Sequence, residues 1–108
     1  MKKHAYLIMA HNNFYLLDRL LRLIDDERND IFLHIDKKTK NVPVKQLKEA
    51  VQKANLVWVP SLNIRWGGYS QIEVEMHLFR IASQTTHTYY HLLSGVDMPL
   101  KTQDEIHD

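Results

Sequence analysis

Tyr89-Tyr90-His91-Leu92-Leu93-Ser94-Gly95-Val96-Asp97-Met98-Pro99-Leu100-Lys101-Thr102 is the stretch whose reading decides the fold. Residues 88–93 read as a buried strand, and the apolar run stops abruptly at a small, polar, glycine-containing turn. Pro99 follows. Thr102-Gln103-Asp104-Glu105 then has the form of a capping box, in which Thr caps the first turn of a helix and Glu reaches back. In an open α/β sheet, ligands bind just beyond the carboxyl ends of the strands. The spacing therefore places Ser94, Gly95 and Asp97 at a binding edge.

The rest of the chain repeats this pattern. Ala5 to Ala10 is short and almost wholly apolar, as in a strand covered on both faces of a parallel sheet. Asn12 or Asn13 is placed to cap the helix that follows. Phe14, Leu17, Leu21 and Ile24, widened by Leu16 and Leu20, recur at helical spacing and predict an amphipathic helix over 13–26. Asp18, Arg19, Arg22 and Asp25 fall on its other side. A second strand is predicted over Asp30 to Asp36, with Ile31, Leu33 and Ile35 on one face and Phe32, His34 and Asp36 on the other.

Pro43 suits the first turn of a short, exposed helix with a modest stripe of Val44, Leu47, Ala50 and Val51. Leu56 to Val59 is a third strand, stopped by Pro60. A long helix is expected from about Ser70 to Gln84. Its main stripe would be Ile72, Met76, Phe79 and Ala82, flanked by Val74, Leu78 and Ile81. The order β-α-β-α-β-α-β-(α) predicts an α/β fold, with a mostly parallel sheet, helices on both faces and the first strand central.

Composition narrows the function classes. The 108 residues suit one domain or part of one, and 44% apolar with 25% charged residues is ordinary for a globular chain. A net charge of +1 gives no electrostatic case for nucleic acid. Without cysteine there is no disulfide framework and no thiolate metal site. No run reaches the roughly 18 apolar residues that suggest a membrane span. Lys2 and Lys3 before the first apolar run have the look of a signal peptide, but His11-Asn12-Asn13 ends that run early.

The candidate residues cluster at predicted strand ends. His11 follows the first strand, where its ring could bond a phosphate or ribose; the plainer reading is a loop cap. Asp36 ends the second strand, where a carboxylate can accept from a ribose hydroxyl or a base N–H, or simply form a turn. The Gly-x-Gly-x-x-Gly loop of dinucleotide enzymes is absent, which argues against a dinucleotide-dependent oxidoreductase. His34 shares a face with Phe32 and reads as a core histidine.

In Trp66-Gly67-Gly68-Tyr69-Ser70, the paired glycines permit close backbone approach and Ser70 caps the long helix. Trp66 offers a face for stacking on a sugar or base, or a plug for the sheet edge. Arg65 could meet a phosphate or serve as a surface ion-pair partner. A metal site from His11, His34, Asp36 and Asp97 is conceivable chemically, though the spacings are not diagnostic.

Taken in order, Ala5-Tyr6-Leu7-Ile8-Met9-Ala10-His11, Leu17-Asp18-Arg19-Leu20-Leu21-Arg22, His34-Ile35-Asp36-Lys37-Lys38, Ile64-Arg65-Trp66-Gly67-Gly68-Tyr69-Ser70 and Leu93 to Thr102 resemble the core-2/I-branching glycosyltransferase family. That family includes β-1,6-N-acetylglucosaminyltransferases and peptide O-xylosyltransferases. The resemblance implies a GT-A-like, Rossmann-type fold. It also implies transfer of a hexosamine or pentose, GlcNAc or xylose, from a UDP-sugar to a carbohydrate or other hydroxyl-bearing acceptor with inversion.

On that reading His11, Asp36, Trp66, Gly67, Ser70, Ser94, Gly95 and Asp97 bind the donor. Many nucleotide-sugar transferases place a metal-binding Asp-x-Asp at this last turn. Here Gly95-x-Asp97 supplies one carboxylate, which matches a family resembling metal-independent enzymes, so no metal or other cofactor is expected.

The resemblance places the catalytic base and the diphosphate-binding basic residues beyond Asp108. A chain that opens a helix and stops is then expected to be the N-terminal, donor-nucleotide half of a truncated domain. Such a half would have little transferase activity and would expose apolar surface that its C-terminal half covers, so self-association is expected. The expected location is cytoplasmic, peripheral to the membrane in a bacterial host. A non-catalytic α/β nucleotide-binding module is the alternative, and a metal-dependent hydrolase stands third.

Overall fold

The computed structural model describes residues 3–10, 13–37, 39–60 and 71–94. They form β1 (His4–Ala10), α1 (Phe14–Ile24), β2 (Asn29–Ile35), α2 (Val44–Ala50), β3 (Asn55–Trp58), α3 (Gln71–Ala82) and β4 (Tyr89–Ser94). The four strands make one sheet in the order β3-β2-β1-β4, and every pairing is parallel. β1 is an interior strand, as its unbroken apolar run requires: Tyr6, Ile8 and Ala10 bury on one face, Ala5 and Leu7 on the other.

Helices cover both faces. Leu17, Leu20, Leu21 and Ile24 of α1 pack with Leu47 and Ala50 of α2 against Tyr6, Ile8, Ile31, Leu33 and Ile35. Val74, Leu78 and Ala82 of α3 pack against Ala5, Leu7, Phe32 and Val59. The topology explains this split. From β1 through β2 to β3 the chain moves one way across the sheet, and from β3 to β4 it moves back. Crossovers of a single hand must then place α1 and α2 on one face and α3 on the other.

Local chemistry sets the element ends. Asn13 is the α1 cap; it takes the left-handed conformation (φ 51°), and its side-chain oxygen accepts from the Leu16 N–H at 3.4 Å. The helix therefore opens at Phe14. After α1, the Asn29 amide donates to the Ile24 carbonyl at 2.7 Å in a buried site and satisfies one of the helix's terminal acceptors. Asp25 does more than its position on the polar side of α1 suggests. Its carboxylate accepts from the backbone N–H groups of Gln52, Lys53 and Ala54 at 2.9, 2.7 and 2.8 Å, tying the α2–β3 connection to the end of α1. Asp25→Ala should lower stability by about 1–2 kcal/mol, read as a drop in the urea midpoint with the slope unchanged.

Two helices turn differently from the expected stripes. In α2, Leu47 and Ala50 bury while Val44 stays exposed in the first turn. In α3, Ile72, Met76 and Phe79 face outward, and Val74, Leu78 and Ala82 take the core. Apolar residues wrap most of the way around α3, so periodicity does not select its face. The branched and small side chains at 74, 78 and 82 make the flatter surface, which seats closely on Ala5 and Leu7.

The amino ends of the strands are tied by polar side chains. The His87 Nε2 lies 2.7 Å from an Asp30 oxygen, and Lys3 Nζ donates to the other oxygen at 3.2 Å. His4 Nδ1 and His91 Nε2 lie 2.9 Å apart, and the His91 ring stacks on Tyr6. Among the described residues, no helix is long and apolar enough to cross a membrane.

Candidate functional site

The strand register builds an edge. Ala10 of β1 is level with Ile35 of β2, and Met9 of β1 with Ser94 of β4, so three strands release their chains at one carboxyl edge. Asp36 is the first residue beyond β2. Its N–H donates to the Ala10 carbonyl at 3.0 Å, and its own carbonyl accepts from the Thr39 N–H at 2.9 Å. The first bond extends the β1–β2 ladder by one step, and the second closes a tight turn. Asp36 thus combines both readings made from sequence: it shapes a turn, and it stands where α/β sheets hold ligands.

Asp36 is only 8% exposed, so its side chain stands at this edge largely sheltered from solvent. Ser94, the last residue of β4, stands across β1 from it. Two strand spacings separate those strands by about 10 Å. That span suits the width of a nucleoside. His11, Trp66, Gly67, Ser70, Gly95 and Asp97 lie outside the described residues. The structure therefore brings Asp36 and the end of β4 to one edge and bears on no contact by the other six.

His34 is fully buried on β2, on the same face as Phe32 and Asp36. Burial pushes its pKa below the ordinary histidine value. The Asp36 carboxylate pulls upward against that, while the neighbouring His77 and burial act together downward. A core histidine was expected here. His77 was not singled out, although it stands in α3 beside the buried Val74 and Leu78, and that position was the available signal. Its Nε2 is buried, with no hydrogen-bond partner among the described residues.

Of the four residues conceivable as metal ligands, His34 and Asp36 share a strand face, and His11 and Asp97 lie outside the described residues. Among the described residues, no three histidine or acidic side chains converge as a metal site.

The family model described as Core-2/I-Branching enzyme matches residues 4–108. The chain belongs to the core-2/I-branching enzyme family.

Two curated relatives carry the name beta-1,3-galactosyl-O-glycosyl-glycoprotein beta-1,6-N-acetylglucosaminyltransferase. The one from Homo sapiens is 27% identical over 106 residues, covering 94% of this chain and 25% of its own length. The one from Bos taurus is 26% identical over the same span and coverage. The chain thus spans about a quarter of the length of the curated relatives it matches. The match runs through the whole β1-to-β4 sheet, so the family region contains the carboxyl edge and Asp36.

Proposed function

We propose that this chain is the donor-nucleotide part of a core-2/I-branching glycosyltransferase with a GT-A-like fold. The reaction is transfer of GlcNAc from a UDP-sugar to a hydroxyl of a carbohydrate acceptor, with inversion. One observation carries the reading: Asp36, buried and anchored through its own backbone N–H and C=O, stands at the carboxyl edge of a parallel sheet that the family model spans. The relatives' name supports GlcNAc as the transferred sugar.

In this reading the Asp36 carboxylate accepts from the uridine part of the donor, a ribose hydroxyl or the uracil N–H. His11 and the Trp66, Gly67 and Ser70 segment complete the nucleotide contacts. Ser94, Gly95 and Asp97 meet the sugar, on the far side of β1.

Transfer with inversion is a single displacement. The acceptor oxygen bonds to the anomeric carbon as the bond to the UDP oxygen breaks, UDP leaves with the electron pair, and a general base takes the acceptor proton. By the resemblance, that base and the cations that offset the departing diphosphate are not among the residues assigned to the donor in this chain.

Calorimetric titration with UDP and with UDP-GlcNAc tests the reading. Asp36→Ala should weaken UDP about tenfold, the effect of losing one hydrogen bond to a charged acceptor. The same change should leave the fold intact by circular dichroism. Equal UDP affinity in the wild type and Asp36→Ala removes Asp36 from the site.

A further inference from the structure

The outward side of α3 carries a second apolar stripe. Ile72, Met76 and Phe79 are 67%, 60% and 50% exposed. Their spacing, four residues and then three, is the d-a-d spacing of a heptad. The Phe79 ring leans on Tyr90 of β4 at 4.9 Å between centroids. Met76, Phe79, Tyr90, Leu92 and Leu7 line an open groove of about 490 Å³ beside the helix. β4 lies at the sheet edge in the described strand order, so stripe and groove form one continuous apolar face. A face of this kind marks an interaction surface.

The charges that flank the stripe select the occupant and its direction. Glu75 stands at the g position just before Met76, and Arg80 at the e position just after Phe79; both border the groove. When two copies of such a helix pair in parallel about a dyad along their axes, g of one faces e of the other five residues on. Glu75 then meets Arg80 of the second copy, twice per pair. In an antiparallel pair g meets g and e meets e, which sets Glu75 against Glu75 and Arg80 against Arg80.

We propose that the occupant is a second copy of this chain, docked through α3 in parallel. Met76 and Phe79 of each copy form the seam, with two Glu75–Arg80 pairs along its sides. Two-fold closure uses the same patch on both copies and stops the assembly at a dimer. No residue of the proposed donor site takes part, so failure here leaves that reading untouched.

Sedimentation equilibrium of the intact chain in low salt is the test. The wild type should show a monomer–dimer equilibrium. Glu75→Arg and Arg80→Glu should each weaken the dimer about tenfold, because attraction becomes repulsion at both sides. The double reversal should recover wild-type association, and Phe79→Lys should abolish it.

Circular dichroism checks that each variant is folded, and Met76→Gln replaces Phe79→Lys if the lysine unfolds the chain. A wild type that stays monomeric at every concentration overturns the proposal. So does a double reversal as weak as either single one, or a dimer indifferent to both Phe79→Lys and Met76→Gln.

Discussion

Leu78→Ala is expected to cost about 2–4 kcal/mol of stability, while Met76→Ala on the same helix should change it by less than about 0.5 kcal/mol. Leu78 is fully buried among Val74, Leu7 and Phe32, and truncating it leaves a cavity under α3 that the sheet cannot close. Met76 points outward and loses mainly solvent contact. Urea melts at dilute protein, where the proposed dimer is dissociated, measure both. The contrast is the test of the face that α3 presents to the sheet. Comparable losses at the two positions would mean that the helix is rotated toward the stripe read from periodicity.

His34 should make the chain less stable as the pH falls. The sign follows from linkage. Burial lowers the folded-state pKa of His34 below the ordinary histidine value of about 6.5, so at pH values under that figure the unfolded chain binds more protons than the folded one. Stability is therefore full above the unfolded pKa. It declines as the pH drops below it, with a limiting slope of about 1.4 kcal/mol per pH unit for one site.

Of the groups facing His34, Asp36 favours its protonation and tempers the effect, whereas His77 on α3 opposes protonation and reinforces it. His34→Gln keeps a polar side chain of similar size without the titration. Stability measured between pH 7 and pH 5 should fall less steeply in the variant than in the wild type. Parallel curves would show that His34 titrates alike in both states.

Much of the architecture was legible from residues alone. The unbroken run from Ala5 to Ala10 has no polar face, so it had to be an interior strand. The alternation in Ile31 to Asp36 correctly divided that strand between the two layers, with Ile31, Leu33 and Ile35 toward α1 and Phe32 toward α3. The position of Asp36 at the carboxyl edge of the sheet was also readable, because strand ends in a parallel sheet are fixed once the order of elements is known. The family itself was readable from five segments in order.

What periodicity could not decide, packing did. α1 carries one clear stripe and one polar side, so its buried face followed from sequence. α3 is apolar over most of its circumference, and only the shape of the sheet below it chose Val74, Leu78 and Ala82. Asp25 read as a solvated charge, because its three backbone partners lie more than two dozen residues along the chain and meet it only when α2 folds back. His77 and His34 likewise become neighbours only when α3 crosses the sheet.

Sequence by itself determined the layers, the parallel sheet and the edge at which Asp36 stands, because these depend on local pattern and on the handedness of crossovers. Tertiary structure alone decided which side of α3 is buried, which charges bind across the chain, and that Ile72, Met76 and Phe79 are left facing out. Those outcomes depend on contacts between segments far apart in sequence, and no local pattern encodes them.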